Sequence, residues 1–432
     1  MGDFLQLLRR NRNYRYTWMG QVVSEVGDHF NNIAVFGLVM QQTKSGLVVS
    51  AVFLARALAM LLAGPVSGVV LDRMDRRQIM IVSDLARAAV ALGFIITLWR
   101  PSLPLLYGLS ALLMFASPFF TSGRASILPA IASKAELHTA NSLTQTTQWT
   151  TVALGSFLGG ASTHGLGFEA AFVFNAMSFV FSALCISRLK VPPGLSFRAE
   201  RTDLSEDRVA RPWHEYKEGL KYISSTPLLL ALALINVGWA SGGGATQVLF
   251  SLFGDQVFQR GAAGIGEIWG CAGLGLVAGG IAANTWGKRL SFAAYRWIIS
   301  ACYILHGGSY VMFSLSKNYV VALVFIALSR ASIAVSSVLN FSQLLRHVSD
   351  EYRGRVFSTN ETLTWATMMI SMLAAGLASQ TVSPRIIGVV AGTLSSSTAL
   401  FWGWAVITNR IQEPPEVGVD PLDIEVHGDP NG

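Results

Sequence analysis

The chain has 432 residues, 52% of them hydrophobic and only 13% charged, with a mean hydropathy of +0.46. That charge fraction is about half that of an ordinary soluble domain, and apolar runs able to cross a hydrocarbon core of roughly 30 Å recur along almost the whole sequence, which excludes a water-soluble globule. The net charge of +7 and the pI near 9.4 are explained by where the basic residues fall between these runs, so they do not call for a nucleic-acid partner.

Taken in order, a basic stretch with Arg9, Arg10, Arg12 and Arg15 leads into a long polar-studded span without a small-residue cleavage pattern, so the first helix reads as retained. Spans near 17–41, 46–71, 78–99, 104–130, 142–165 and 168–187 form a first set of six. A hydrophilic segment near 188–226 follows, broken by Pro192, Pro193, Pro212 and Pro227. Within it Trp213, Tyr216, Leu220 and Ile223 recur at helical spacing, which predicts a short amphipathic helix at the cytoplasmic surface. A second set of six lies near 227–253, 264–286, 291–316, 319–344, 357–380 and 385–408, and the tail from about 411 is short, acidic and Pro-containing, as disordered tails are. The expected units are therefore an N-terminal six-helix bundle (1–187), a cytoplasmic linker (188–226), a C-terminal six-helix bundle (227–410) and a disordered cytoplasmic tail (411–432).

Lys and Arg accumulate in loops that stay cytoplasmic. With the N-terminus inside, Lys44, Arg100, Arg260, Lys317 and Arg385 fall in external loops, Arg56, Arg87, Arg124, Arg296 and Arg330 fall within spans, and the other 22 of the 32 basic residues are cytoplasmic. Both termini are thus placed inside. Cys185, Cys271 and Cys302 are isolated in hydrophobic spans, without the spacing of a disulfide framework or a zinc site.

The two sets of spans carry a weak internal repeat. Gly68-Val-Val-Leu-Asp72-Arg73-Met-Asp75-Arg76-Arg77 lies over Gly280-Ile-Ala-Ala-Asn284-Thr285-Trp-Gly287-Lys288-Arg289, half a chain apart. Gly68, Asp72, Arg73, Arg76 and Arg77 match the Gly-x-x-x-Asp-Arg-x-Gly-Arg-Arg loop of the major facilitator superfamily, with Asp75 in the place of the usual Gly. Ser24-Glu-Val-Gly27-Asp28, Arg353-Gly354-Arg355-Val356, Leu128-Pro129 and Ala140-Asn141-Ser142-Leu143 resemble the twelve-helix drug/proton antiporter branch that includes macrolide and enterobactin exporters. The resemblance implies an all-α membrane protein of twelve transmembrane helices in two six-helix pseudo-symmetric bundles, with the site near mid-membrane between them. It also implies that Asp72 meets the start of the eleventh helix as part of a cytoplasmic gate. That gate would comprise Gly68, Asp72, Arg73, Arg76, Arg77 and, on the other side, Glu361. A carboxylate beside a helix N-terminus is stabilised by its exposed N–H groups; the plainer alternative is that these arginines act only as cytoplasmic topology signals.

A charge at the centre of a bilayer helix costs about 2.5–3.5 kcal/mol on insertion scales, so ionisable residues there need partners or a watery cavity. On the first span Gln21, Glu25, Asp28, His29 and Asn32 fall within an arc of about 100°. Polar stripes recur on the fourth span (Ser110, Ser117, Thr121, Arg124), the seventh (Asn236, Gly243, Gln247) and the tenth (Ser329, Ser332, Ser336, Asn340, Gln343). These are the four helices that line the central cavity in the superfamily, although small polar residues also serve helix packing. Arg56 lies at a depth similar to Asp28, and Arg330 is turned about 100° from the stripe on its span. Asp84 and Arg87, three apart, are spaced to neutralise each other.

The proton and substrate candidates are therefore Asp28, Glu25, Arg56, Asn32, Arg124, Gln247, Asn340 and Arg330. A carboxylate that loses its arginine during a conformational change takes up a proton, which makes Asp28, assisted by Glu25, the candidate for proton coupling. His29 reads as a hydrogen-bonding cavity residue, and no metal site or cofactor is expected. No His-Glu-x-x-His, Gly-x-Ser-x-Gly or ATP-binding loop is present, so an enzyme is not expected.

The expected function is export of a small hydrophobic or amphipathic molecule, such as a drug, macrolide or siderophore, by alternating access and proton antiport. The expected setting is a monomer in the bacterial inner membrane. The alternatives are a lysophospholipid flippase and a membrane sensor without transport.

Overall fold

A computed structural model describes residues 2–190, Phe197 and 212–413; most of the expected linker and all of the tail beyond 413 lie outside the described residues. The first set of helices comprises α1 (Gly2–Arg10), α2 (Arg12–Thr43), α3 (Gly46–Arg73), α4 (Arg76–Gly93) with its short continuation α5 (Ile96–Trp99), α6 (Leu103–Ile131), α7 (Lys134–Gly165) and α8 (Gly167–Ser187). Then come α9 (Pro212–Ser225), α10 (Pro227–Leu252), which ends in a single π-helical turn, α11 (Gly261–Trp286), α12 (Phe292–Leu315), α13 (Tyr319–His347), α14 (Asp350–Ala378) and α15 (Pro384–Ile407). No strand occurs among the described residues.

Nine of these helices are long and apolar enough to cross a membrane. The three others of comparable length are α2, α7 and α14, and each carries a row of polar residues along its middle. Together the twelve are consistent with the count expected from the sequence. Large apolar side chains such as Leu62, Ile370 and Leu400 point outward, exposed by 67%, 70% and 75%, as a lipid-facing surface requires.

Local chemistry sets the helix ends. Ser133 and Glu136 form a capping box on α7, with Glu136 Oε2 accepting from Ser133 N at 2.9 Å, and Ser349 occupies the N-cap of α14. Both helices therefore begin 7–8 residues before the expected spans, at Lys134 and Asp350, because hydropathy reports only the apolar part of a helix whose first turns are polar. Asp75, in the place of the family's Gly, has ordinary extended backbone angles (φ −67°, ψ 116°) and caps α4 by accepting from Gln78 N at 3.0 Å. An Asp is as suitable as a Gly in that turn, and it adds a cap.

Helix pairing in the first set is repeated in the second. The pairs α2–α8, α2–α7, α3–α6, α4–α8 and α4–α6 have the counterparts α10–α15, α10–α14, α11–α13, α12–α15 and α12–α13. The two sets meet through α7 against α11 and α3 against α14. Toward the external ends these contacts bring backbones together. A Cβ built on Gly266 of α11 would lie 2.6 Å from Ser156 O and 2.7 Å from Gly160 Cα of α7, so only glycine allows this approach. Gly46 faces Ser379 and Gly376 faces Ser50 at the same level. Above them Lys44, in the left-handed region at φ 52°, pairs with Asp255 at 2.8 Å, and Gln256 Nε2 donates to Lys44 O at 2.6 Å. At the cytoplasmic end of α3, by contrast, Gly64 and Gly68 have nothing within 4 Å of a built Cβ, and Asp72 and Arg73 are exposed. The seam is shut outside and open inside.

The amphipathic linker helix is present as α9, and it is docked on protein. Ile223 is buried, Tyr222 stacks on Tyr352 of α14 at 4.6 Å, and Glu218 pairs with Arg355 of α14 at 3.1 Å.

Candidate functional site

The polar face of α2 gathers two groups of side chains. In the first, Glu25 Oε1 accepts from Gln21 Nε2 at 2.8 Å, its Oε2 accepts from Thr151 Oγ1 of α7 at 2.9 Å, and Arg124 of α6 lies 3.7 Å away. The sequence placed Glu25 and Arg124 on different spans without pairing them; the fold brings them together. Thr151 was missed, although Thr144, Thr147 and Thr151 already recur at helical spacing on the fifth span. Thr147 accepts from Trp18 Nε1 at 2.9 Å, and Thr144 O accepts from Gln21 at 3.5 Å.

The second group is built around Asp28. One of its carboxylate oxygens is buried with no hydrogen-bond partner, and the residue lies within electrostatic reach of Arg87, Glu25, Asp84 and Arg56. Arg56 is buried, but in this conformation its Nη1 donates to Asn32 Oδ1 at 2.8 Å and its guanidinium lies 5.1 Å from the Phe36 ring. Arg56, at a depth similar to Asp28, thus bonds to Asn32, one turn further along α2. Asp84 and Arg87 form a buried ion pair, with Arg87 held between the rings of Phe120 and Phe179 at 4.8 and 4.3 Å. His29 packs its ring against Gly155 of α7.

The second set contributes a cavity of about 270 Å³ between α7, α10, α11, α12 and α13, whose walls include Trp149, Trp239, Trp269, Gln247, Tyr303 and Arg330. Gln247 therefore faces the cavity, as the stripe on the seventh span suggested. The tenth span behaves differently. Its polar stripe faces α12, where Asn340 Oδ1 accepts from Tyr295 OH at 2.9 Å and Ser329 Oγ meets His306 Nδ1 at 2.8 Å. Arg330, off the stripe, is the residue that lines the cavity, with its Nη2 donating to Thr246 Oγ1 at 2.8 Å.

The cytoplasmic loop between α3 and α4 is anchored to the first set. Arg76 Nη1 donates to Ser126 O of α6 at 3.3 Å; Arg77 Nε donates to Ile186 O of α8 at 3.3 Å and its Nη2 to Ser187 O. Glu361 is exposed on α14, and Asp72 makes no hydrogen bond or ion pair among the described residues. Glu361 and Asp72 are not in contact while the inner side is open.

Comparison with known proteins agrees with this architecture. The chain is 23% identical over 375 residues to a protein named as a bacilysin exporter, BacE, of Bacillus amyloliquefaciens, covering 84% of this chain and 90% of that one. It is 22% identical over 381 residues to macrolide efflux protein A of Streptococcus pyogenes, covering 87% and 92%. Its fold is similar to a bacterial homologue of the iron transporter ferroportin in an inward-facing state (TM-score 0.68, 17% identity, 90% and 98% covered). It is also similar to a bacterial homologue of the human lysosomal transporter Spinster, inward-facing and unoccupied (TM-score 0.69, 14% identity, 94% and 100% covered). Apolar spans and transporter relatives together make this a multi-pass plasma-membrane transporter. The profile of the Major Facilitator Superfamily matches residues 17–366, and the chain belongs to that family.

Proposed function

We propose that the protein is a secondary active exporter of small hydrophobic or amphipathic molecules, working by alternating access with protons as the counter-ion. The observation that carries this reading is Asp28. A carboxylate oxygen buried without a donor is costly to keep charged and is better accommodated as the neutral acid. Here it lies inside the first set of helices, within electrostatic reach of two arginines that already have partners in Asn32 and Asp84. Asp28 holds a proton in this conformation, and cargo arriving from the cytoplasm rearranges the polar face of α2 and displaces it. Glu25, bonded to Gln21, Thr151 and Arg124, ties that face to α6 and α7 and assists the exchange. The exporter and efflux names of the relatives support the outward direction.

Return to the outward-open state requires the cytoplasmic ends to close. In that movement Asp72 comes to the N-terminal turn of α14 and Glu361 approaches the arginine-bearing loop. Arg76 and Arg77, held on the carbonyl ends of α6 and α8, make the loop move with its bundle.

The test is proton release from purified protein in weakly buffered detergent on addition of macrolides, dyes and siderophores, repeated with Asp28→Asn. Release by the wild type that disappears in the variant is the expected result. Tight binding with no release from either protein, or full gradient-driven transport by Asp28→Asn, overturns the coupling at Asp28.

A further inference from the structure

The cavity wall between α10, α11 and α13 carries several side chains that donate hydrogen bonds, two of them without an acceptor. Arg330 is 8% exposed, donates to the Thr246 hydroxyl and lies 5.1 Å from the Phe250 ring. Among the described residues no carboxylate pairs with it. The indole N–H groups of Trp239 and Trp269, both in the same wall, are buried and have no partner. An indole nitrogen can only donate, and a guanidinium carries five N–H groups and no acceptor. Gln247 adds an amide beside them.

Other buried arginines in this protein have an oxygen of a carboxylate or an amide to meet: Asp84 for Arg87, Glu25 for Arg124 and Asn32 for Arg56. Arg330 has a hydroxyl and an aromatic face. Leaving donors unsatisfied in a buried wall is destabilising, most of all for a charged group. Two indole donors without partners and a guanidinium without a carboxylate partner border this one cavity, a setting suited to a ligand that brings acceptor oxygens and a negative charge, and a guanidinium grips such an oxyanion through two parallel bonds.

We propose that this cavity binds the oxyanion end of an amphipathic organic cargo, a carboxylate or phosphate monoester, with Arg330, Trp239 and Trp269 as its donors and Trp149 of α7 against its apolar body. The proposal rests on the transporter reading above and narrows its cargo from hydrophobic molecules in general to organic anions. Because Trp149 comes from the first set of helices and the donors from the second, cargo held this way contacts both sides of the seam.

The experiment is calorimetric binding to the full chain in detergent with matched probes: 2-naphthoate against neutral 2-naphthamide, and lysophosphatidic acid against neutral monoacylglycerol. Naphthoate is expected to bind at least tenfold tighter than naphthamide, Arg330→Gln to erase that preference, and Arg330→Lys to keep part of it. Trp239→Phe, which keeps a ring but lacks the N–H, weakens the anion several-fold and guards against a folding defect in the arginine variant. An Arg330-dependent preference seen only for lysophosphatidic acid supports the proposal with a lipid as the source of the anion, and one seen for naphthoate supports a water-soluble source. Equal binding of each anion and its neutral partner, or a preference that survives both Arg330→Gln and Trp239→Phe, overturns it. Binding in detergent needs no gradient, so the two readings fail separately. Anion binding without movement into proteoliposomes sinks the transporter reading alone, and transport indifferent to cargo charge sinks only this one.

Discussion

At the scale of single residues, the buried ionisable groups of the first bundle divide into those bonded to another side chain and Asp28, whose carboxylate makes no hydrogen bond or ion pair among the described residues. Arg87 and Asp84 are 3% and 0% exposed and face each other between two phenylalanine rings. Removing one member of such a pair strands the other in a low-dielectric interior, at a cost of about 3–5 kcal/mol. Arg87→Leu is therefore expected to lower the melting temperature of the purified protein markedly, and Asp84→Asn combined with it to restore much of the loss; an unchanged midpoint for Arg87→Leu would remove the pair from the stability account. This pair was legible in the sequence because three residues on one helix are enough to specify it. The neighbours of Asp28 were not, since Arg87 reaches it from another helix and the choice of Arg56 between Asp28 and Asn32 depends on the bundle's conformation.

At the scale of helices, periodicity shows which faces are polar more readily than what those faces look at. The first and seventh spans turn their stripes inward, toward the Glu25 group and the cavity. The tenth turns its stripe to α12, where Tyr295 and His306 satisfy it, and presents Arg330 instead. Periodicity fixes a direction around one helix axis, whereas the neighbour in that direction is a tertiary fact. The same limit hid the external seam, because the closeness of Gly160 and Gly266 belongs to two helices about a hundred residues apart. A side chain there has to push α7 from α11. We expect Gly266→Val to populate the outward-open state, and spin labels at Arg100→Cys and Lys317→Cys, in a background with Cys185, Cys271 and Cys302 replaced by Ser, to report a longer distance across the external face. A distance distribution identical to that of the unmutated glycine would mean that the seam opens elsewhere.

For the whole molecule, the repeated pairing pattern makes each set of helices a unit, and the contacts of α7 with α11 and α3 with α14 form the joint between them. The linker helix α9 sides with the second unit through Tyr222, Ile223 and Glu218 on α14 and α10, so it travels with that unit when the joint moves. The outer end of the joint is fastened in part by Lys44 and Asp255, which are 62% and 9% exposed. An ion pair this open to water contributes on the order of 0–1 kcal/mol. That is small against the stability of a bundle but comparable to the gap between two conformations of a transporter, where about 1.4 kcal/mol is a tenfold change in population. Because mobile ions shorten the reach of such a pair from roughly 30 Å at 0.01 M to about 3 Å at 1 M, raising external salt should lengthen the mean distance between the spin labels, and Lys44→Gln should remove that response. The resting state of the protein is then adjustable from outside the cell by brine alone: a dilute medium keeps the outer door shut, and a saline one leaves it ajar.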